Sequence, residues 1–277
     1  MNQQEKATLL RNLHKKGDPL VLVNAWDAAS ARIFEEAGSK AIATTSAGLA
    51  QSLGYPDGQK LPWKELVEAL RRIVRVVRLP VTTDIEAGYA DSEDELQRNI
   101  EELIDAGAVG LNLEDAIPGD KKKLYSLGQQ TARIKTVRQA ANGRGIPLVI
   151  NARTDTYWIG AIQPEESRIQ QTIERGRAYL RAGADCIFIP GASDLRVIAQ
   201  FVEQIVAPIN ILAVKGAPSI VELARAGVAR VSVGSGVFRA AYTKAKQAAE
   251  QALHQGAHAS FTESAIPYPE FNRLFEP

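Results

Sequence analysis

Residues 81–90 read VTTDIEAGYA, and residues 111–116 read LNLEDA. In each stretch a short apolar, β-rich run ends in acidic side chains: Asp84 and Glu86 in the first, and Glu114 in the second. β-rich runs of this kind that alternate with helical segments are typical of a parallel sheet. Because parallel strands of such a fold end at one rim, we expect these carboxylates to lie close together.

Six further β-rich runs flank these two along the chain. The eight runs cover residues 20–23, 41–45, 81–84, 109–113, 147–151, 186–190, 209–213 and 230–233. The segments between them show helical spacing, for example 63–77, 92–107, 166–183 and 218–227. Four times an Ala-Gly pair precedes a strand, in EEAGSKAI, IDAGAVGL, LRAGADCI and ARAGVARV, and glycine there supplies a left-handed helix cap. Eight βα units favour a closed (β/α)8 barrel over an open, doubly wound sheet.

The domain organisation follows from the same pattern. No linker or low-complexity stretch divides the chain, so residues 1–277 are predicted to form one barrel domain with a C-terminal helical extension from about 240 to 277. The sequence has neither a glycine-rich dinucleotide-binding turn nor a phosphate-binding P-loop, which argues against a nucleotide-binding sheet.

Composition excludes several classes of protein. With 33 basic and 32 acidic residues the net charge is +1, so a basic nucleic-acid-binding surface is not expected. No run of about 18 apolar residues predicts a membrane span, and the polar first residues do not resemble a signal peptide. The single cysteine, Cys186, excludes an intrachain disulfide framework. We therefore expect a cytoplasmic protein without nucleic-acid or membrane partners.

The acidic strand ends indicate a metal site. Asp84, Glu86 and Glu114 offer only oxygen ligands, which favours Mg²⁺, or Mn²⁺ in its place, over zinc. The alternative is that these acids cap helices or form ion pairs. Three acids at two neighbouring strand ends favour the metal interpretation.

Two other features belong to the same rim. Arg153, in NARTD, could hold a carboxylate or phosphate through two parallel hydrogen bonds, or could pair with Asp155 instead. The loop at 44–58 is rich in small residues whose N–H groups could approach an anion. The long polar segment 113–130 is either a solvated loop or a mobile lid over the barrel mouth.

The sequence resembles the isocitrate lyase/phosphoenolpyruvate mutase superfamily. The resemblance is carried jointly by five motifs: NAWDAASARIFEEAG, TTSAGLAQSLGYPDG, DIEAGYA, LNLEDA and NARTD. The resemblance runs from about residue 10 to about residue 240. It implies a (β/α)8 TIM barrel with extra C-terminal helices, a helix swapped between subunits, and a homo-oligomer that is a dimer of dimers. It also implies a small 2-oxo acid held by Mg²⁺, and chemistry that breaks or makes a C–C or P–C bond through an enolate-type intermediate.

The resemblance assigns roles to individual positions. The metal-site acids are Asp84, Glu86 and Glu114, and Asp57 resembles a loop aspartate near the metal. Asp57, Glu114 and Arg153 carry the catalytic roles, whereas substrate contacts fall to Thr45, Ser46, Ala47, Asp84 and Arg153, with Gly48 included if the register shifts by one.

The lid departs from the family pattern. It reads PGDKKKLYSLG, without the cysteine and histidine of the C–C lyases, and Gly191 stands where those lyases carry a glutamate. It has Ser126 but lacks the asparagine of the phosphonate mutases. These departures indicate a branch that acts on a small 2-oxo acid by decarboxylation or hydrolysis of an oxaloacetate-like acid, P–C cleavage, or aldol-type cleavage. Two alternatives stay open: a non-catalytic 2-oxo acid binding protein, and a Schiff-base aldolase using Lys215.

Overall fold

The computed structural model describes residues 1–159 and 162–276. Its central parallel sheet contains eight strands, the first of them in two segments. They are β1 (Leu20–Leu22 and Asn24–Ala25), β2 (Ile42–Thr44), β3 (Val81–Asp84), β4 (Gly110–Glu114), β5 (Val149–Arg153), β6 (Cys186–Phe188), β7 (Ile209–Leu212) and β8 (Arg230–Ser232). Each lies within or beside a run that the sequence predicts as a strand.

The sheet closes into a barrel through the interrupted first strand. The first segment of β1 pairs with β8, where Leu22 lies opposite Ser232. Its second segment pairs with β2, where Ala25 lies opposite Thr44. All of these pairings are parallel, so the predicted closed (β/α)8 barrel is confirmed.

Helices surround the barrel in the alternating order that the sequence predicts. They are α1 (Gln3–Asn12), α2 (Ala28–Glu36), α3 (Ser46–Ser52), α4 (Trp63–Val76), α5 (Glu93–Asp105), α6 (Leu127–Gly143), α7 (Glu165–Ala182), α8 (Leu195–Gln204), α9 (Ile220–Arg225), α10 (Gly236–Gln255), α11 (Ala259–Thr262) and α12 (Tyr268–Arg273). The apolar faces of the barrel helices and the outward faces of the strands form one continuous hydrophobic core.

The start of α5 illustrates how local sequence sets a helix boundary. Ser92 caps the helix, its hydroxyl accepting a hydrogen bond from the Glu95 backbone N–H at 3.2 Å. The Glu95 carboxylate does not return this bond to Ser92, as a capping box would require, but accepts one from the Asp91 N–H at 2.9 Å. The buried Leu96 and Ile100 then attach the helix to the core.

The C-terminal extension begins with α10, and its first turn contributes the buried Phe238. Most of the rest of this 20-residue helix is exposed. The chain returns to the barrel at its end, where Arg32 of α2 donates a hydrogen bond to the Leu274 carbonyl at 2.6 Å. None of the described helices has the length and apolarity needed to cross a membrane.

The space around Gly110 in β4 shows how tightly the barrel is packed there. A Cβ at Gly110 would lie 2.8 Å from a Leu10 methyl, 2.9 Å from the Thr82 hydroxyl and 3.1 Å from the Val149 carbonyl. We expect Gly110→Ala to lower the free energy of unfolding by about 1–3 kcal/mol, because these buried neighbours have little room to move. Urea denaturation measures the change.

The matched control is Gly143→Ala in α6. No heavy atom lies within 4 Å of a Cβ at this exposed site, and the helix should gain up to about 1 kcal/mol. Equal effects of the two substitutions would show that β4 tolerates the extra methyl group.

Candidate active site

Strand pairing brings the predicted acidic residues to the carboxyl rim of β3, β4 and β5. Asp84 lies opposite Asn112, and Glu114 lies opposite Arg153. Glu86 follows two residues after Asp84 and adopts a left-handed backbone with a φ of 49°, which non-glycine residues seldom adopt. The rim therefore holds Asp84, Glu86, Glu114 and Arg153 on three neighbouring strands.

Asp84 is fixed by hydrogen bonds from two sides. One carboxylate oxygen accepts from the Glu86 backbone N–H at 3.1 Å, and the other accepts from the Ser46 hydroxyl at 3.4 Å. The Asp84 backbone N–H donates to the Thr44 hydroxyl at 2.9 Å. Burial raises the pKa of Asp84, although the positive charge of Arg153 opposes this shift.

Arg153 lies between two carboxylates. Its Nη1 is 2.8 Å from Glu114 Oε2, and its Nε and Nη2 donate to the Asp155 carboxylate at 2.6 and 2.9 Å. The ion pair considered from the sequence is therefore formed. An arginine has five N–H donors, so two remain for a ligand. Burial raises the pKa of Glu114 well above its usual value, with Arg153 opposing the shift.

Glu86 lies in a pocket of hydrogen-bond donors. Both of its carboxylate oxygens are 2.9 Å from the Gln59 backbone N–H, and one also accepts from the Tyr89 hydroxyl at 2.9 Å. Burial raises the pKa of Glu86 to about 7, and the nearby charge of Asp57 adds to the shift. Among the described residues, no lysine or arginine forms an ion pair with Glu86, Asp57 or Asp84.

This uncompensated negative charge fits a divalent cation. The donor set consists of carboxylate oxygens, which Mg²⁺ and Mn²⁺ prefer. In the part of the chain that the structure describes, no three acidic, histidine or cysteine side chains are positioned to hold one ion directly. Asp84, Glu86 and Glu114 would therefore reach a magnesium ion largely through water, in keeping with the hydrated state in which proteins usually bind it.

The residues after β2 form the first turn of α3. Thr45 is the N-cap, and its hydroxyl accepts from the Gly48 N–H at 3.4 Å. The N–H groups of Ser46 and Ala47 lie in the first turn, where a helix provides no carbonyl to bond them. They are therefore free for an anion. A Cβ on Gly48 would come within 2.6 Å of the Thr45 methyl group, so Gly48 permits close packing of this turn.

Two adjoining cavities lie at this rim. The larger, of about 410 Å³, is lined by Thr45, Ser46, Ala47 and Asp84 among others, but not by Gly48. The smaller, of about 150 Å³, contains Glu86 and Glu114. Both cavities are lined by Ser46, Asp57, Arg153 and Trp158. Every other site residue predicted from the sequence thus borders one or both.

The predicted lid segment forms a β-hairpin, with Ala116–Ile117 paired to Asp120–Leu124. Its turn residues Pro118 and Gly119 line the smaller cavity, so the hairpin covers Glu86 and Glu114. The side chains of Lys122 and Lys123 are exposed, and Lys123 pairs with Asp120 at 3.1 Å.

Asp115 anchors the base of this hairpin. Its side chain is fully buried and accepts hydrogen bonds from the Asp155 N–H at 2.8 Å and from the Tyr179 hydroxyl at 2.7 Å. Arg175 pairs with the same carboxylate at 3.1 Å and also donates to the Tyr125 carbonyl. These bonds tie both ends of the hairpin to α7. The acid next to Glu114 is therefore structural, although the sequence alone does not distinguish the two.

Several cavity residues were not predicted. Trp158, Phe188 and Arg239 all line the larger cavity. Trp158 follows Asp155 by three residues, so its position in the loop after β5 was the available signal. Arg239 lies one turn into α10, directly after β8, and only the closed barrel brings it to the same mouth.

The raised pKa of Glu86 gives a pH-dependent prediction. Because its folded-state pKa is about 7 and its ordinary value is 4.5, the folded state holds the proton more tightly than the unfolded state. Ionisation of Glu86 therefore lowers stability as pH rises between these values. We expect Glu86→Gln to gain stability relative to wild type across this window, by at most about 3 kcal/mol.

Urea unfolding in EDTA, from about pH 5 to about pH 7, measures this difference. Glu68→Gln on the exposed face of α4 is the control and should follow wild type. A difference between Glu86→Gln and wild type that stays constant with pH would contradict the assignment.

Comparison with known proteins adds independent information. A family model described as phosphoenolpyruvate phosphomutase matches residues 10–253. A Mycobacterium tuberculosis protein described as uncharacterized is 35% identical over 259 residues, covering 94% of this chain and 93% of its own length. An oxaloacetate decarboxylase of Pseudomonas fluorescens is 32% identical over 255 residues, covering 88% and 85%.

A solved structure confirms the architecture. Phosphonopyruvate hydrolase in complex with oxalate and Mg²⁺ has a TM-score of 0.85, covering 97% of this chain and 94% of its own, at 23% identity. At that identity the likeness concerns the fold alone. The family model and the two closer relatives carry the assignment. The chain belongs to the phosphoenolpyruvate mutase family within the isocitrate lyase/phosphoenolpyruvate mutase superfamily, and it is an enzyme of the lyase and phosphonomutase class.

Proposed function

We propose that this protein is a Mg²⁺-dependent carbon–carbon lyase that decarboxylates a small 2-oxo acid of the oxaloacetate type. The observation that carries the proposal is the cluster of carboxylates beside the N–H groups of Ser46 and Ala47, with Asp84 and Glu86 buried and Glu114 largely buried. The carboxylates attract a divalent cation, and the N–H groups attract an anion. A 2-oxo acid that chelates the metal ion and offers a carboxylate to the N–H groups would fit both.

The metal would be held by this chain's acidic rim. Asp84, Glu86, Glu114 and Asp57 would bind Mg²⁺, or Mn²⁺ in its place, through direct and water-mediated contacts. When bound, the ion supplies a Lewis acid that polarises the keto group of the substrate. The excess of negative charge around Glu86 supports this assignment, as does a relative of the same fold that binds oxalate with Mg²⁺.

The first turn of α3 and Arg153 would orient the substrate. The N–H groups of Ser46 and Ala47 would bind the carboxylate next to the keto group. The two N–H donors of Arg153 that its ion pairs leave unused would bind an oxygen on the other side. Because Glu114 and Asp155 fix the guanidinium, it is preorganised for the negative charge that develops during the reaction.

Decarboxylation requires no catalytic base, so the residues at the barrel mouth can support it. The bond between the carbon next to the keto group and the distal carboxylate breaks, and its electron pair forms an enolate while CO₂ leaves. Water then protonates the enolate, giving the shorter 2-oxo acid. No side chain has to remove a proton. The chain's one cysteine is buried within the barrel wall, where burial raises the pKa of Cys186 to about 12.

The lid favours C–C over P–C chemistry. Ser126, which the sequence offered as a partial match to the phosphonate mutases, is the N-cap of α6. Its hydroxyl accepts a hydrogen bond from the Gln129 N–H at 3.2 Å, and Gln129 returns a bond to the Ser126 backbone. Ser126 is exposed and lines neither of the two cavities, which argues against a contact between its hydroxyl and a phosphoryl group at the site.

The two alternative functions receive less support. Lys215 lines the larger cavity, but its side chain is exposed, whereas a Schiff-base lysine is usually activated by desolvation or by a neighbouring cation. A non-catalytic binding protein would retain the same metal and carboxylate contacts. Turnover separates that alternative from the lyase.

The central prediction is metal-dependent conversion of oxaloacetate to pyruvate and CO₂. ¹H NMR should show pyruvate forming faster than in protein-free buffer with the same Mg²⁺, and EDTA should abolish the difference. Glu114→Gln should lower kcat/KM by at least roughly 100-fold, because it removes charge that the metal requires. Lys215→Met should retain activity.

Each other outcome would favour one of the alternative functions. Acetate and oxalate as products would replace decarboxylation by hydrolysis. Borohydride trapping of a Lys215 adduct would favour the aldolase. Stabilisation by oxalate with Mg²⁺, without turnover of any 2-oxo acid, would favour the binding protein.

We also propose that the protein acts in the cytoplasm as a dimer of dimers with a helix swapped between subunits. The C-terminal extension supports this arrangement because it exposes large apolar side chains. They are Tyr242, Leu253, Phe261, Ile266, Tyr268, Phe271 and Phe275. Apolar surface of this kind marks a contact site, and a second copy of the chain would bury it.

A charge on α10 tests the assembly. Wild type should show the mass of four chains in light scattering, and Leu253→Glu should lower that mass because it places a charge in the contact. Gln247→Glu, at an exposed polar position on the same helix, is the control. A wild-type monomer, or a Leu253→Glu variant with unchanged mass, would contradict the proposal.

A further inference from the structure

Arg230 is a buried cation that the proposed reaction does not use. It lies in β8 and its side chain is fully buried. Its Nη2 donates to Asn112 Oδ1 at 3.2 Å, and its Nε lies 3.5 Å from the Ser232 hydroxyl. Among the described residues it forms no ion pair, and its Nη1 has no hydrogen-bond partner.

A guanidinium in this environment is costly to bury. Its register neighbours on the adjoining strands are Leu20 and Asn210, neither of which carries a charge. Removing an unpaired cation from water carries a large desolvation penalty. Burial lowers the pKa of Arg230 to about 10, so the group still carries its charge at neutral pH. A charge kept at this cost calls for a compensating interaction nearby.

The candidate for that interaction is the cavity above. Asn112 and Ser232, the two side chains that Arg230 contacts, both line the larger cavity. The guanidinium therefore lies one side chain below the cavity floor. Asn112 Oδ1 also accepts from the Asn151 amide at 2.7 Å, so two donors fix the orientation of the Asn112 amide.

The charged groups around the cavities show what a further cation there could do. Asp84, Glu86 and Asp155 are buried, and Arg153 is the largely buried arginine that lies among them. Lys215 and Arg239 also line the larger cavity, but both are exposed, so solvent and salt screen their charges. A buried positive charge at Arg230 is screened less and adds to the attraction for an anionic ligand.

We propose that Arg230 is a positioning residue that fixes Asn112 and supplies a permanent positive charge beneath the cavity, favouring anionic ligands over the bare metal ion. This role rests on the proposed 2-oxo acid site. Its physical signature is a pair of opposite effects, because one charge attracts the anion and repels the cation. A residue that only filled the barrel interior would not produce that pair.

Three substitutions separate charge from packing and hydrogen bonding. Arg230→Met removes the charge and fills a similar volume, Arg230→Gln removes the charge but keeps a donor for Asn112, and Arg230→Lys keeps the charge. Mn²⁺ affinity is measured by electron paramagnetic resonance without any anion. Oxalate affinity is measured by calorimetry at saturating Mg²⁺.

Arg230→Met and Arg230→Gln should weaken oxalate binding by about ten-fold or more, while Mn²⁺ affinity stays equal or increases. Arg230→Lys should bind oxalate within a few-fold of wild type. Arg138→Met is the control: it removes an arginine that bonds Gly183 and Asp185, and should change neither affinity. If Arg230→Met does not fold, Arg230→Gln and Arg230→Lys give the same comparison.

Parallel loss of Mn²⁺ and oxalate affinity, or wild-type oxalate affinity in Arg230→Gln, would overturn the proposal. Wild type reports on the proposed function separately. If wild type binds oxalate with Mg²⁺ and the Arg230 variants match it, only the role of Arg230 fails. If wild type does not bind oxalate, the 2-oxo acid site and the inference that rests on it both fail.

Discussion

A rim of buried carboxylates, partly neutralised by Arg153, is the constraint on which the rest of the site depends. Asp84, Glu86 and Glu114 lie at the ends of two adjacent strands, and burial raises the pKa of each. Arg153 pairs with only one of them, at 2.8 Å, and bonds Asp155 through Nε and Nη2. The proposed divalent cation would neutralise the carboxylates that Arg153 leaves unpaired, and the chemistry proposed for this protein follows from that arrangement.

Two further arrangements position the groups around this acidic rim. The hairpin that starts after Glu114 covers the acidic residues, and the buried Asp115 holds its base through Tyr179 and Arg175. The floor of the larger cavity rests on neutral amides such as Asn112, with the guanidinium of Arg230 behind them. Neighbouring charged groups thus have separate tasks: Glu114 faces the cavity, whereas Asp115 faces the core.

Where local sequence sets the structure, the predictions agree with it. All eight β-rich runs form strands, because β-branched and apolar residues favour a pleated, buried strand, and in four cases a helix-capping glycine ends the preceding helix just before the run. Ser92 caps α5, and a glutamate three residues after a serine is the pattern of a capping box, but Glu95 bonds Asp91 rather than Ser92. Both interactions satisfy a backbone N–H, so the sequence could not choose between them. For Arg153, the ion pair and the ligand contact are compatible, since a guanidinium has donors for both.

The sequence by itself determined the barrel, the family and the rim residues, since these depend on strand periodicity and on which side chains follow each strand. Only the tertiary structure decided which atoms meet across strands far apart in the chain. It separated Glu114 from Asp115 by the direction in which each side chain points, brought Arg239 and Trp158 to the same cavity, and placed Arg230 beneath Asn112, 118 residues away. Such contacts depend on barrel closure and register, which no local stretch of sequence specifies.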